Sequence, residues 1–225
     1  MFVSEVFASL QGEGALAGVP SFFIRTSGCN LRCRWCDTPY TSWRPEGRRS
    51  SVTELVRSAH EARVHHVVVT GGEPLLQRQI GELTSALADR GFHITVETAG
   101  TVSPPFVCDL LSLSPKTAGS DPHGRWRLRH RRVRSSLAPM RRLLERFTEV
   151  QLKFVVESPD DIQDVHDTLD RLPPVEPWRV QLMPEGTTAS EVASKARMVA
   201  ALCAEHGFRY TPRLHLDLFG GGRGV

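Results

Sequence analysis

Six short runs of apolar and β-branched residues constrain the fold of this chain more than any other feature. They are Ser21–Thr26, His66–Thr70, Phe92–Thr98, Leu110–Leu113, Val150–Val156 and Trp178–Met183, and each reads as a strand ended by a turn signal. Helical stretches stand between them. Ser51-Val52-Thr53-Glu54 has the spacing of a capping box and opens a helix to about Arg63. Leu76–Arg90 has helical periodicity and stops at Gly91, and Asp160–Leu172 and Ser190–His206 are the later helices. Repetition of strand, loop and helix predicts parallel strands joined by right-handed crossovers. About six strands in 225 residues predict an α/β fold of the partial, open TIM-like β/α barrel type, since a closed eight-fold barrel typically takes about 250 residues. The length suits one domain, 1–225, with a basic insertion around 117–147.

In such folds chemistry gathers at the C-terminal ends of the strands. The unusual residues of this chain fall there. The first strand feeds a loop carrying Cys29, Cys33 and Cys36. Gly71-Gly72-Glu73-Pro74 follows the second strand, Glu97-Thr98-Ala99-Gly100 the third, Ser114-Pro115-Lys116 the fourth, and Gln181-Leu182-Met183-Pro184 closes the sixth. That coincidence points to one site on one rim.

Three thiolates spaced Cys-x3-Cys-x2-Cys can hold three corners of a cubane iron–sulfur cluster and leave the fourth iron open to a small molecule. A closed zinc site needs a fourth Cys or His, and none stands nearby. Ferredoxin-type carriers use four cysteines. Cys108 and Cys203 sit in apolar runs and read as small buried hydrophobes. Asp37-Thr38, directly after the last cysteine, offers hard oxygens that suit Mg²⁺. Gly71-Gly72 permits close backbone approach to a ligand, although a plain turn explains it equally well. Glu97 suits sugar hydroxyls or an amine, and otherwise a solvated strand end. Lys116 suits a carboxylate, or merely begins the basic segment.

Charge and cysteine usage narrow the class further. The net charge of +3 conceals an asymmetry, because Lys116 to Arg146 holds ten Lys/Arg against two Asp/Glu, leaving about −5 elsewhere. A run such as Arg125 to Arg134 attracts polyanions, nucleic acid or an acidic redox partner. With Trp126 alone interleaved, a solvated surface loop is the plainer expectation, and nucleic acid is not expected as a partner. No run approaches the roughly 20 apolar residues of a membrane helix. The start lacks a secretory signal, and clustered thiols fit a reducing compartment, so a cytoplasmic location is expected.

The cysteine spacing, the aromatic Trp35 before the third cysteine and GGEP after a strand resemble the radical S-adenosylmethionine superfamily. Leu10-Gln11-Gly12-Glu13-Gly14, Arg25-Thr26-Ser27-Gly28-Cys29, Cys36-Asp37-Thr38, Glu97 to Gly100, Ser114 to Lys116, Leu152 to Val156, Leu214-His215 and Arg223-Gly224-Val225 narrow the resemblance to the 7-carboxy-7-deazaguanine synthase family. These motifs span the chain. The Arg-rich segment departs from the pattern.

The resemblance implies a lyase that converts 6-carboxy-5,6,7,8-tetrahydropterin to 7-carboxy-7-deazaguanine with loss of ammonia. It implies a [4Fe–4S] cluster on Cys29, Cys33 and Cys36, with S-adenosylmethionine on the open iron. The cofactor would lie against Trp35, Cys36, Asp37, Gly72, Glu97, Ser114, Pro115, Lys116, Gln181, Leu182, Met183 and Pro184. The pterin would be held by Leu10, Gln11, Gly12, Glu13, Arg25, Thr70, His215 and Val225, and Mg²⁺ by Thr38. A flavodoxin-like electron donor and a homodimer are implied as well. A glycyl-radical activating enzyme and a non-enzymatic iron–sulfur electron carrier are the alternatives from other classes.

Overall fold

The computed structural model describes residues Met1–Gly224. Six strands run parallel: β2 (Pro20–Thr26), β4 (His66–Gly71), β5 (His93–Thr98), β6 (Leu110–Leu113), β7 (Val150–Val156) and β8 (Val180–Pro184). They match the expected strands to within two residues. Short β9 (Arg209–Tyr210) adds parallel to β8. The sequence pattern did not flag β1 (Phe2–Leu10), which pairs antiparallel with β2 and with β3 (Arg48–Arg49). The sheet order is β3-β1-β2-β4-β5-β6-β7-β8-β9, an open arrangement that ends at β3 and β9.

Eight helices accompany it among the described residues: α1 (Pro39–Ser42), α2 (Val52–Glu61), α3 (Ile80–Ala88), α4 (Arg127–Arg134), α5 (Ala138–Arg146), α6 (Asp161–Leu169), α7 (Ala189–His206) and α8 (Leu214–Phe219). The α2 capping box is present: the Glu54 N–H donates to Ser51 Oγ at 3.2 Å and the Ser51 N–H to Glu54 Oε2 at 2.8 Å. None of the helices is long and apolar enough to cross a membrane.

Period-two alternation along the strands sorts their side chains into two sets. Ile24, Val67, Val69, Ile94, Val96, Leu111, Leu113, Leu152, Phe154, Val180 and Leu182 join Leu55, Leu83, Leu87, Leu143, Val165 and Val199 of the helices in one hydrophobic core. Each such buried side chain contributes roughly 1.5–3 kcal/mol. The opposite parity carries the polar residues Arg25, Thr70, Glu97, Ser112, Gln151, Lys153 and Gln181, interspersed with Phe23, Val68, Val155 and Met183. Gln151 Nε2 donates to Ser112 Oγ and Gln181 Nε2 to Gln151 Oε1, both at 2.9 Å. The inner face of the sheet is therefore a hydrogen-bonded floor, and its open end carries the site.

The basic segment departs from the expected surface loop, because it folds as the helices α4 and α5 between β6 and β7. Arginine is a good helix former, and one buried residue anchors the turn. His130 is 1% exposed; its Nδ1 accepts the Arg32 N–H at 3.0 Å and its Nε2 meets Ser120 Oγ at 2.9 Å. Arg127, Arg129, Arg131 and Arg132 around it remain on the surface, while Arg134 folds back onto Asp121.

Candidate active site

The C-terminal ends of the strands enclose a cleft of about 320 Å³. The register aligns these ends, with Thr26 opposite Gly71 and Thr98 opposite Leu113. Leu10, Gln11, Gly12, Glu13, Arg25, Thr70 and His215 line the cleft, as do Trp35, Asp37, Thr38, Gly72, Glu97, Ser114, Lys116 and Met183 and the three clustered cysteines. Pro115, Gln181, Leu182 and Pro184 are not on its wall. Leu182 has the outward parity and sits in the hydrophobic core. Gln181 shares Met183's face but lies deeper, 1% exposed, with Oε1 unpartnered among the described residues. Val225 lies outside the described residues.

Cys29, Cys33 and Cys36 are unpaired thiols. Burial pushes Cys29 and Cys33 each up to about 12, so both carry protons until a metal displaces them. Among the described residues no three Cys, His, Asp or Glu groups converge on a single ion. The Leu31 N–H points at Cys29 Sγ (3.4 Å), and Ser42 Oγ lies 3.2 Å from Cys36 Sγ. Hydrogen bonds to cluster sulfurs tune the potential, so the donor set fits an iron–sulfur cluster. Cys203 lies in the core and Cys108 packs against its edge, away from the cleft.

The paired glycines serve packing of the backbone. A Cβ on Gly71 would come within 2.1 Å of Thr26 O, and one on Gly72 within 2.3 Å of Gly28 O. The Gly72 N–H donates to Thr26 O (3.0 Å) and the Glu73 N–H to Gly28 O (2.9 Å), which clamps the GGEP turn under the cysteine loop. Glu73 is fully buried and accepts from Thr98 Oγ1 (2.6 Å) and from the N–H groups of Leu75 and Ala99. Burial raises its pKa despite these donors.

The most concentrated charge is a network on Glu13. Its carboxylate is paired with Lys153 Nζ and, at 3.2 Å, with Arg213 Nε, while Arg213 Nη2 reaches on to Asp37. Burial alone would push the Glu13 carboxyl up, yet the Lys153 ammonium and the Arg213 guanidinium hold it far below the usual carboxylate range. Arg213 likewise outweighs burial at Asp37 and keeps it ionised. Lys153 and Arg213 had no role in the sequence reading. Lys153 did leave a signal, since it is a lysine on the inward parity of a buried strand. Arg213 left none, because its partner Glu13 lies 200 residues away.

The segment 211–215 is stitched to the Gln11–Gly14 loop: the Gly14 N–H donates to Thr211 Oγ1 (2.6 Å) and the Leu214 N–H to Gly12 O (2.9 Å). Gly12 has no room for a side chain, because a Cβ there would fall 2.1 Å from His215 Nδ1. Burial lowers the His215 pKa and keeps its ring neutral. Glu97 receives Gln11 Nε2 (3.1 Å) and Thr70 Oγ1 (2.9 Å), which groups it with the residues expected for the pterin. On the strand pair Glu5↔Arg25, Arg25 Nε binds Glu5 Oε1 at 2.7 Å and Tyr40 OH donates to the same oxygen at 2.9 Å. The terminal nitrogens of Arg25 have no carboxylate among the described residues. Lys116 Nζ donates to Ser114 Oγ (2.7 Å) and stands 5.5 Å from the Trp35 ring centre.

Comparison with known proteins agrees with this arrangement. Residues 23–172 match the family model described as the radical SAM superfamily. The chain is 41% identical to the 7-carboxy-7-deazaguanine synthase of Rhodopirellula baltica, covering all of this chain and 89% of that protein. It is 44% identical to the 7-carboxy-7-deazaguanine synthase of Halobacterium salinarum, over 96% of this chain and 90% of the relative. The crystal structure of QueE from Escherichia coli superposes with a TM-score of 0.70 at 25% identity, covering 95% of this chain and 94% of that one. The chain therefore belongs to the radical SAM superfamily and, within it, to the 7-carboxy-7-deazaguanine synthase family.

Proposed function

We propose that this chain converts 6-carboxy-5,6,7,8-tetrahydropterin to 7-carboxy-7-deazaguanine with loss of ammonia. The observation that carries the reading is one cleft that holds both three unpaired thiols and an array of ionised and hydrogen-bonding groups suited to a small carboxylated heterocycle. When bound, the cluster and S-adenosylmethionine supply one-electron reductive cleavage and a radical able to take a hydrogen from the substrate. Positioning is left to the protein.

The fork of Arg25, steadied at Nε by Glu5, offers its terminal nitrogens to the substrate carboxylate. Ionised Glu13 accepts from the N–H edge of the pterin, and Gln11, Thr70 and neutral His215 complete the hydrogen-bonding wall. Trp35, Gly72, Ser114, Lys116 and Met183 face the cofactor side, with Gln181 lying deeper on the same face of β8. Asp37 is engaged by Arg213, which leaves Thr38 to offer Mg²⁺ its oxygen, the other sites being filled by water and substrate. A flavodoxin-like donor supplies the electron, and the active form is a homodimer.

The test is anaerobic reconstitution followed by turnover with the tetrahydropterin and mass analysis of the product. About four irons per chain are expected, with loss of both cluster and product in Cys33→Ala. Cys108→Ala and Cys203→Ala should keep both. An intact cluster in Cys33→Ala would overturn the assignment of the thiols, and wild-type cluster without product would overturn the substrate.

A further inference from the structure

The Arg-rich helix α4 and the turn at Ser120 that precedes it are fastened to the cysteine loop on the two sides of Cys33. The Arg32 N–H donates to His130 Nδ1 and the Arg34 N–H to Ser120 O, each at 3.0 Å. Arg32 also lays its guanidinium 4.9 Å from the Trp126 ring centre. The outer side of α4 is a cationic surface with few acids to balance it. Asp121 is taken up by Arg134 (2.6 Å), Arg131 (3.5 Å) and His130 (3.8 Å). Arg127, Arg129 and Arg132 are exposed and have no carboxylate partner among the described residues. Amid them Leu128 is 81% exposed, an apolar side chain ringed by guanidiniums.

We propose that α4 is the docking surface for an acidic one-electron donor protein, which it places against the cysteine loop. The proposal rests on the cluster reading above, because an iron–sulfur centre that starts a reductive cleavage must be reloaded with an electron each time. Complementary charge steers such encounters and raises their rate. An exposed leucine inside a charged ring matches the make-up of a small transient interface, with an apolar centre and a polar rim. The step transfers one electron, so the partner's flavin or iron–sulfur centre is oxidised by one electron and the cluster on Cys29, Cys33 and Cys36 is reduced by one. No bond forms or breaks and no proton moves at the surface.

Nucleic acid fits less well. A base needs an aromatic face to stack on, and Trp126 is already flanked by Arg32, Arg125 (5.5 Å) and Arg129 (5.8 Å). A polyphosphate also has no use for Leu128. Two copies of this cationic helix repel each other, which argues against a symmetric contact between subunits.

The test uses reconstituted full-length protein and reduced flavodoxin as the probe, with binding followed by titration at low and high salt. Arg127→Glu/Arg132→Glu should weaken binding at low salt at least about tenfold and flatten its salt dependence. Leu128→Asp should weaken it at both salts. Arg57→Glu, on α2, and Arg90→Glu, in the turn after α3, serve as controls and should bind as wild type. Cluster content, and turnover driven by dithionite, which needs no docking, should stay unchanged in the helix α4 variants. Equal flavodoxin affinity in wild type and the double variant would overturn the proposal. So would an effect confined to RNA binding or to oligomeric state. Failure of dithionite-driven turnover in the wild type would instead strike the proposed function, whatever the binding data.

Discussion

Two concentrations of positive charge flank the cysteine loop, and they differ in almost every physical respect. In the cleft, Lys153 and Arg213 are nearly buried, 7% and 5% exposed at the side chain, and both close on Glu13. On α4, Arg127, Arg129, Arg131 and Arg132 are exposed, and the one carboxylate at hand, Asp121, is taken by Arg131 and the half-buried Arg134. Buried charge is tolerated only when it is paired, so the cleft network fixes positions: it ties Glu13, Asp37 and the segment 211–215 into one arrangement. The exposed arginines without a carboxylate partner, Arg127, Arg129 and Arg132, keep their hydration and tie down no acidic group of the chain. Their field extends outward, about a Debye length at physiological salt.

Removing a member of the buried set should break this contrast most visibly. Arg213→Met leaves Glu13 and Asp37 as buried or half-buried carboxylates with one cation fewer, and a loss of about 3–5 kcal/mol in urea unfolding is expected. A loss below about 1 kcal/mol would mean that water compensates the pair and that the network is not a structural clamp.

Acid should separate the two regions at different pH. Burial depresses His130 to about 4, with Asp121 opposing more weakly. A histidine whose folded pKa lies below the unfolded 6.5 contributes stability that is present above pH 6.5 and is lost as pH falls toward 4. The full shift corresponds to roughly 3 kcal/mol or slightly more. Protonation also removes the acceptor for the Arg32 N–H. Glu13 and Asp37 have lowered pKa values, so their contribution persists above pH about 4 and is lost only below it. Glu73, with a raised pKa, works in the opposite sense, and its contribution is lost as pH rises. Hydrogen exchange on acidification should therefore show α4 and the Arg32 amide opening before Gly14 and Leu214. The reverse order would reject the assignment of His130 as the anchor.

Exposed arginines should matter least. Arg132→Ala is expected to change stability by less than about 0.5 kcal/mol in the same urea assay. A larger cost would show that α4 relies on its charges for its own folding.

The parallel strands and the four helices α2, α3, α6 and α7 were legible because their signals are local: apolar runs, a capping box, and glycine stops. The rim was legible for a related reason, since its motifs follow directly on strands. β1 escaped because Phe2–Leu10 alternates irregularly and its partner β2 is supplied from elsewhere in the chain. The helical character of α4 is hidden in the sequence because its arginines mask its one buried residue, His130. At the far end of β8, Gln181 to Pro184 were expected together beside the cofactor. Period-two geometry splits them, sending Leu182 into the core and keeping Met183 on the cleft. Arg213 shows the firmest limit. Its role depends on Glu13 and Asp37, 200 and 176 residues earlier, and no local pattern encodes such a meeting.

The stitching of 211–215 onto the Gln11–Gly14 loop has a consequence for the order of assembly. Closing contacts across 197 and 200 residues carries a large loop entropy, and such contacts form late. Synthesis runs from the N-terminus, so the cysteine loop, β2, β4 and β5 leave the ribosome long before Thr211. The thiol side of the cleft can then be shaped while the side that holds Glu13 is still open. In pulse-labelled refolding, the β4 and β5 amides should gain protection before those of Gly14 and Leu214. A nascent chain would accordingly pass through a stage with a cluster-binding loop and no finished substrate wall, a window in which iron–sulfur delivery meets no obstruction from the C-terminal strap.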